Sequence, residues 1–214
     1  MTDEEKEIQC GEVPAQEEEE ASQRVAEGLE ETLYGWAQAL ISAVVSVVLL
    51  FTFVVRLVGV SGPSMQDTLY TGDRIVVLNA MFCDFQPGDV VVARNYNVEG
   101  ELSATLVKRI VAVGGQTVDI DFAEGIVYVD GEAIDEPYIK EPTYTPEGLQ
   151  FPVTLGENEV FLMGDNRNRS SDSRDDRLGP VDESYLHGKA FFILVPGKTP
   201  ALEKIDWSRI GLIR

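Results

Sequence analysis

The chain is poor in the side chains that metal and redox sites are built from: it has 1 histidine and 2 cysteines among 214 residues. A single histidine excludes the multi-histidine zinc sites. Cys10 and Cys83 lie 73 positions apart, too few thiols for a zinc cluster, an iron–sulfur cluster or a disulfide scaffold. Basic residues are scarce too, with 17 Lys+Arg against 37 Asp+Glu and a net charge of −20. That balance argues against nucleic acid as a partner, because phosphate binding needs a basic surface. A phosphate loop is also missing: the position five before Gly197-Lys198-Thr199 is Phe192, not glycine. There is no internal repeat. What is present is 44% hydrophobic residues, which excludes wholesale disorder.

Charge and apolar residues are unevenly placed. Residues 1–35 hold 12 acidic and 2 basic side chains, half of the net charge, and few large apolar residues before Leu29. An acidic, disordered tail is expected over 1–35. Residues 36–55 then run for 20 positions without a charge. At 1.5 Å per residue such a helix spans about 30 Å, the hydrocarbon thickness of a bilayer. Tyr34 and Trp36 sit where interfacial aromatics belong, and Arg56 closes the segment. A core helix would not stay apolar on every face for so long. A cleaved leader would be shorter and preceded by basic residues. A single transmembrane anchor over 36–58 is therefore expected. Its orientation is open, because Lys6 and Arg24 before it balance Arg56 and Arg74 after it.

Residues 59–214 read as mostly β. Short β-branched runs at 74–78, 89–93, 106–113, 125–129, 159–163 and 190–195 are separated by Gly, Pro and Asp turns. Asp130-Gly131 before Glu132-Ala133-Ile134 predicts a hairpin, and 182–186 a turn of helix. A coiled, mostly antiparallel sheet with a real core is the expected fold.

Three segments offer chemistry. Ser61-Gly62-Pro63-Ser64-Met65 holds a serine in a small, stiff stretch, where its hydroxyl can be presented beside backbone N–H groups; a plain linker turn explains it equally well. In Leu106-Val107-Lys108-Arg109-Ile110, period-two alternation puts Lys108 on a face with Leu106 and Ile110, and Arg109 on the other. Burial there would lower the amine below its usual value of about 10.4 and make it a base, although a solvated edge lysine is the commoner case. The run at 164–174, Gly-Asp-Asn-Arg-Asn-Arg-Ser-Ser-Asp-Ser-Arg, can brace a site through ion pairs, but its composition favours a solvated turn. It contains an N-glycosylation triplet at Asn168, a pattern frequent by chance. The pair Asp175-Asp176 reads as solvated. His187, the lone histidine, reads as a loop or surface residue.

In order and context these blocks resemble the bacterial type I signal peptidases, membrane-bound serine proteases with a Ser–Lys dyad. The resemblance is carried by the apolar anchor, S-G-P-S-M-Q-D-T-L at 61–69, G-D-R-I-V-V at 72–77, P-G-D-V-V-V at 87–92, V-K-R-I-V-A-V-G-G at 107–115 and the 164–174 block. It implies Ser64 as nucleophile, Lys108 as general base and Ser170 as the hydroxyl that orients the amine. It also implies the Ser64 N–H as oxyanion donor, with Gly62 where many members carry a second, serine donor. Met65 would pack beside the nucleophile, Arg109 would pair with Asp165, and Asp172 with Arg174. The substrates implied are secretory preproteins with small residues at −1 and −3, met at the membrane lipid and near the secretion translocon, with no cofactor. The tail would be cytoplasmic and the catalytic domain extracytoplasmic, which would keep Cys10 and Cys83 apart. Asp67 departs from the family's usual proline, so a changed turn is expected there. The short interval from Lys108 to Gly164 predicts a reduced second β subdomain at about 119–163. Two other readings stay open: a Ser–His hydrolase using His187, and a non-enzymatic anchored β domain that binds peptides.

Overall fold

A computed structural model describes residues 15–94, 105–199 and 204–213, with side chains from residue 32 onward. Two compact units divide at Leu49 and Leu50. The first holds helix α1 (Ala15–Leu49), so the second half of the stretch expected as a disordered tail is helical; its start lies outside the described residues. Residues Thr32–Val54, counting a π-helical turn at Leu50–Val54, are long and apolar enough to cross a membrane, and their side chains are exposed. The anchor expected over 36–58 ends earlier than its apolar pattern suggests, because residues 55–58 are extended and paired. Val55, Leu57 and Val58 read alike in a helix or a strand, and only the partner strand decides between them.

Among its described residues the second unit holds twelve short strands: β1 (Val55–Gly59), β2 (Arg74–Asn79), β3 (Val90–Arg94), β4 (Thr105–Ala112), β5 (Thr117–Asp121), β6 (Ile126–Val129), β7 (Glu132–Ala133), β8 (Val153–Thr154), β9 (Glu159–Met163), β10 (Val181–Asp182), β11 (Leu186–Val195) and β12 (Gly211–Leu212). Eight form an antiparallel sheet in the order β1-β2-β11-β3-β4-β9-β10, with β12 on β11. The other four form a small sheet, β7-β6-β5-β8, inserted between β4 and β9. It contains the expected hairpin at Asp130-Gly131, where Asp130 takes φ 53° and Gly131 φ 82°, the left-handed values a tight turn requires. A turn of 3-10 helix at Glu183–Tyr185 matches the helical turn expected there.

Alternation along the strands divides the core. On β3, Val90 and Val92 join one buried cluster with Met65, Leu69, Ile75 and Val77, while Val91 and Ala93 join another with Ile110, Val160 and Leu162. On β9, Phe161 and Met163 turn to a third cluster with Val118, Val127 and Leu155, which ties the small sheet to the large one. The long strand β11 crosses the centre, pairing with both β2 and β3, and is kinked by register shifts on either side.

Gly188, at the middle of that crossing, leaves no room for a side chain: a Cβ there would lie 1.9 Å from the Leu78 carbonyl oxygen. Gly188→Ala should cost about 3 kcal/mol of stability, read as a lowered urea midpoint at an unchanged slope. A midpoint equal to that of the wild type would show that β11 can shift at no cost.

Candidate active site

The loop carrying Ser64 is held at both ends. Val60 N–H donates to the Asp73 carbonyl at 2.8 Å and Gly72 N–H to the Val60 carbonyl at 2.9 Å, closing the loop like a purse. Inside it, Leu69 N–H donates to Met65 O at 2.7 Å, and Met65 and Leu69 are buried in the core. The Asp73 carboxylate, fully buried, accepts from Tyr70 N–H, Gly197 N–H and both Arg209 Nη atoms at 2.6–2.9 Å. Gly62 takes φ 93°, which an L side chain adopts only with strain, and its N–H donates to Thr71 Oγ1 at 3.1 Å. Glycine therefore suits this backbone. Asp67 is exposed and accepts from the Tyr70 hydroxyl at 3.2 Å.

Lys108 sits on β4 opposite Val91, one position from Arg109, which pairs with Met163. Its relative exposure is 3%. Desolvation is the main force on the amine and pulls it below the ordinary lysine value, while Asp172 and then Glu147 pull the other way. Lys108 Nζ donates to Ser170 Oγ at 2.8 Å, and that hydroxyl donates to Asp172 Oδ2 at 2.6 Å. Because the Ser170 proton is committed to Asp172, the amine must donate to Ser170, so its lone pair points elsewhere. Asp172 is buried, which alone would raise its carboxyl. Hydrogen bonds from Arg174 Nε (2.8 Å) and Nη2 (2.9 Å), with the charges of Arg174 and Lys108, outweigh burial and hold it below the usual carboxylate range.

On the other face of β4, Arg109 grips Asp165 through Nε (2.9 Å) and Nη2 (2.7 Å), donates to Gly88 O and lies over the Tyr138 ring. Asp165 in turn accepts from Thr68 Oγ1, which links this pair to the Ser64 loop. Asn166 N–H donates to Ser64 O at 2.9 Å, and its side-chain amide to Pro63 O at 3.0 Å. Gly164 lies between the two halves: a Cβ there would be 2.3 Å from Ser170 Oγ and 2.5 Å from Ser64 O. The fold thus brings Ser64, Lys108 and Ser170 into one small volume. No hydrogen bond joins the Ser64 hydroxyl to Lys108 itself.

The signal peptidase, peptidase S26 family matches residues 33–195, three quarters of the chain. The chain belongs to this family. It is 33% identical over 175 residues to signal peptidase I of Bacillus licheniformis, covering 77% of this chain and 90% of that one. Over 178 residues it is 35% identical to a probable signal peptidase I-1 of Synechocystis sp., covering 80% and 84%. A crystal structure of a signal peptidase I from Enterococcus faecalis is similar at 25% identity and TM-score 0.41, covering 50% of this chain and 97% of that one.

In this S26 peptidase His187 stands apart from the cluster. It lies on β11, where burial first, then Arg56 and Arg94, lowers its pKa; among the described residues no carboxylate braces it. The 164–174 run is not the solvated turn its composition favours: Asp165, Asn166, Arg167, Asp172, Ser173 and Arg174 are each at most 1% exposed. Asp175, expected in solvent, is also buried at its backbone bridge to Gly148. Arg174 is the partner of Asp172 that the resemblance implies, whereas Arg167 is not separable by sequence from a surface arginine. Arg167 pairs with Glu136 and donates to Thr143 Oγ1 at 3.0 Å; Arg174 reaches Glu147 at 3.4 Å. The one available signal was the density of arginine directly after an apolar strand. Among the described residues no group of acids, thiols and histidine could hold a metal. Cys83 is a free thiol, and Cys10 lies outside the described residues.

Two outcomes follow. Gly164→Ala should displace Ser170 or the Ser64 carbonyl and lower peptidase activity at least about 100-fold, since a misplacement near 1 Å costs that much; a rate near that of wild type would show that the contact relaxes freely. Burial of Lys108 opposes its charge, so the folded state binds the proton less well than the unfolded one. Stability is therefore reduced below the folded pKa and recovers as pH rises toward the free-lysine value near 10.4. Lys108→Met should melt higher than wild type at pH 6, with the gain shrinking as pH rises; a constant offset would mean that packing, not charge, sets the difference.

Proposed function

We propose that the chain removes signal peptides from secreted preproteins, with Ser64 as nucleophile and Lys108 as general base. The observation that carries this reading is the lysine itself: buried to 3% exposure, held at 2.8 Å by a hydroxyl whose own proton is committed to Asp172. A neutral amine in that position keeps its lone pair for the Ser64 proton. The Ser64 oxygen attacks the scissile carbonyl, and the Ser64 N–H supports the oxyanion. The ammonium formed on Lys108 then gives its proton to the departing amine. Water, deprotonated by the same amine, hydrolyses the ester and restores the serine. Arg109 with Asp165 and Arg174 with Asp172 hold the lysine strand and its hydroxyl partner in register. His187 is not favoured as base, because nothing orients it.

An extended preprotein adding to the open edge of β1 would present alternate side chains to the site, which suits small residues at −1 and −3. The apolar span ends at Val54, directly before β1 in the chain, which suits a reaction close to a membrane. In the β1–β2 register Leu78 lies opposite Val55, and the following Met81 and Phe82 are 82% and 53% exposed. We take the tail as cytoplasmic and the catalytic unit as extracytoplasmic, close to the translocon from which preproteins emerge.

Cleavage of a preprotein in detergent tests the dyad. Ser64→Ala and Lys108→Ala should each lose about 10³-fold or more, and His187→Ala should keep the wild-type rate. Wild-type kcat/KM should rise with pH as Lys108 loses its proton, along a limb below the value for free lysine. Activity in Lys108→Ala, or its loss in His187→Ala, would overturn the assignment.

A further inference from the structure

We propose that Glu147 is a positioning residue for the reaction: through Arg174 and the backbone of Asp172 it places Ser170 and sets the charge balance around the Lys108 amine. The inference rests on the reading of Lys108 as general base. Glu147 belongs to the long segment between β7 and β8, far in sequence from every motif, yet that segment is strapped to the 164–174 loop. Asn168 Oδ1 accepts from Tyr144 N–H, Thr145 N–H and the Thr145 hydroxyl at 3.0–3.1 Å, and Arg174 Nη1 donates to Thr145 O at 3.0 Å. Glu147 completes the strap. Its Oε2 accepts from Asp172 N–H at 3.2 Å, and its Oε1 lies 3.4 Å from Arg174 Nη2.

The charge count shows what the carboxylate adds. The groups facing the amine are Asp172, Arg174 and Asp165 from the loop after β9 and Glu147 from the segment before β8. From β3, the opposite residue is the uncharged Val91. Asp165 is already matched by Arg109. Of the rest, protonated Lys108 and Arg174 carry two positive charges, and Asp172 and Glu147 two negative ones. Without Glu147 the Arg174 guanidinium would be shared with no second carboxylate, and the cluster around a protonated lysine would hold one excess positive charge at low dielectric. Glu147 thus favours the lysine's proton while burial opposes it, and keeps the amine from becoming too weak a base. The side chain is 17% exposed, so the outermost link of the chain touches water. Its own carboxyl is raised by burial first and by Asp172 next, against the pull of Arg174; Asp175 adds a smaller push.

The full-length enzyme in detergent tests this through two readouts: the pH profile of kcat/KM for preprotein cleavage, and the Lys108 midpoint from the 13Cε shift of labelled lysine in a Ser64→Ala background. Glu147→Gln should move the limb and the midpoint together to lower pH by about half a unit or more. Glu147→Ser, also neutral but smaller, should move them likewise if charge is the cause, and Glu147→Asp should keep them near wild type. A uniform loss of rate with limb and midpoint unmoved would reduce Glu147 to a structural brace and overturn the proposal. A wild-type limb that does not coincide with the Lys108 midpoint would instead overturn the lysine base.

Discussion

A lysine amine taken almost entirely out of water is the constraint around which the catalytic unit is arranged. Desolvation lowers the Lys108 amine, as the proposed base requires, and the same desolvation would destabilise the fold if the amine and its neighbours lacked partners. The chain Lys108–Ser170–Asp172–Arg174 answers that requirement, each link within 2.9 Å of the next. The second ion pair, Arg109 with Asp165, sits on the reverse of the same strand and reaches the Ser64 loop through Thr68. Buried ion pairs contribute little net stability, so their density here is better understood as geometry held for chemistry than as a source of stability.

The small sheet has a role that its position in the chain conceals. It is an insertion between β4 and β9, yet the segment that joins its strands β7 and β8 supplies Glu136, Thr143, Thr145 and Glu147 to the arginines of the 164–174 loop. The loop that orients the lysine is therefore braced from both units of sheet. Gly164 allows this convergence, because only a residue without a side chain fits between Ser170 and the Ser64 carbonyl. Acidity in this protein accordingly has two meanings. In the first 35 residues it is a property of the leader, and in the catalytic unit a few carboxylates are the counter-charges of buried guanidinium groups.

Much of the fold was legible because it follows local pattern. The runs at 74–78, 159–163 and 190–195 lie within strands, and the Asp130-Gly131 turn with its hairpin follows from backbone chemistry alone. The pairing of β1 was not legible, since an apolar run leaving a membrane segment looks the same in either conformation. The brief strands β8, β10 and β12, two residues each, carry no period to read. In the site, Lys108 was singled out by the family resemblance, since its same-face aliphatic neighbours alone favour a solvated edge lysine, whereas Glu147 and Arg167 were indistinguishable from surface charges until their partners came into view.

By itself the sequence determined the apolar span, the β-rich unit after it, the exclusion of histidine-rich and thiolate metal sites, and an ordered series of short motifs that carry the family resemblance. These follow from composition and from periods of a few residues. Only the tertiary structure decided that the polar run at 164–174 is buried rather than solvated, that Arg167 pairs with Glu136 and Arg174 also with Glu147, and that the Ser170 hydroxyl donates to Asp172 while it accepts from the lysine. Those outcomes depend on contacts between segments 25 to 62 residues apart, and the desolvation that gives a charge its chemical character exists only once such segments close over it.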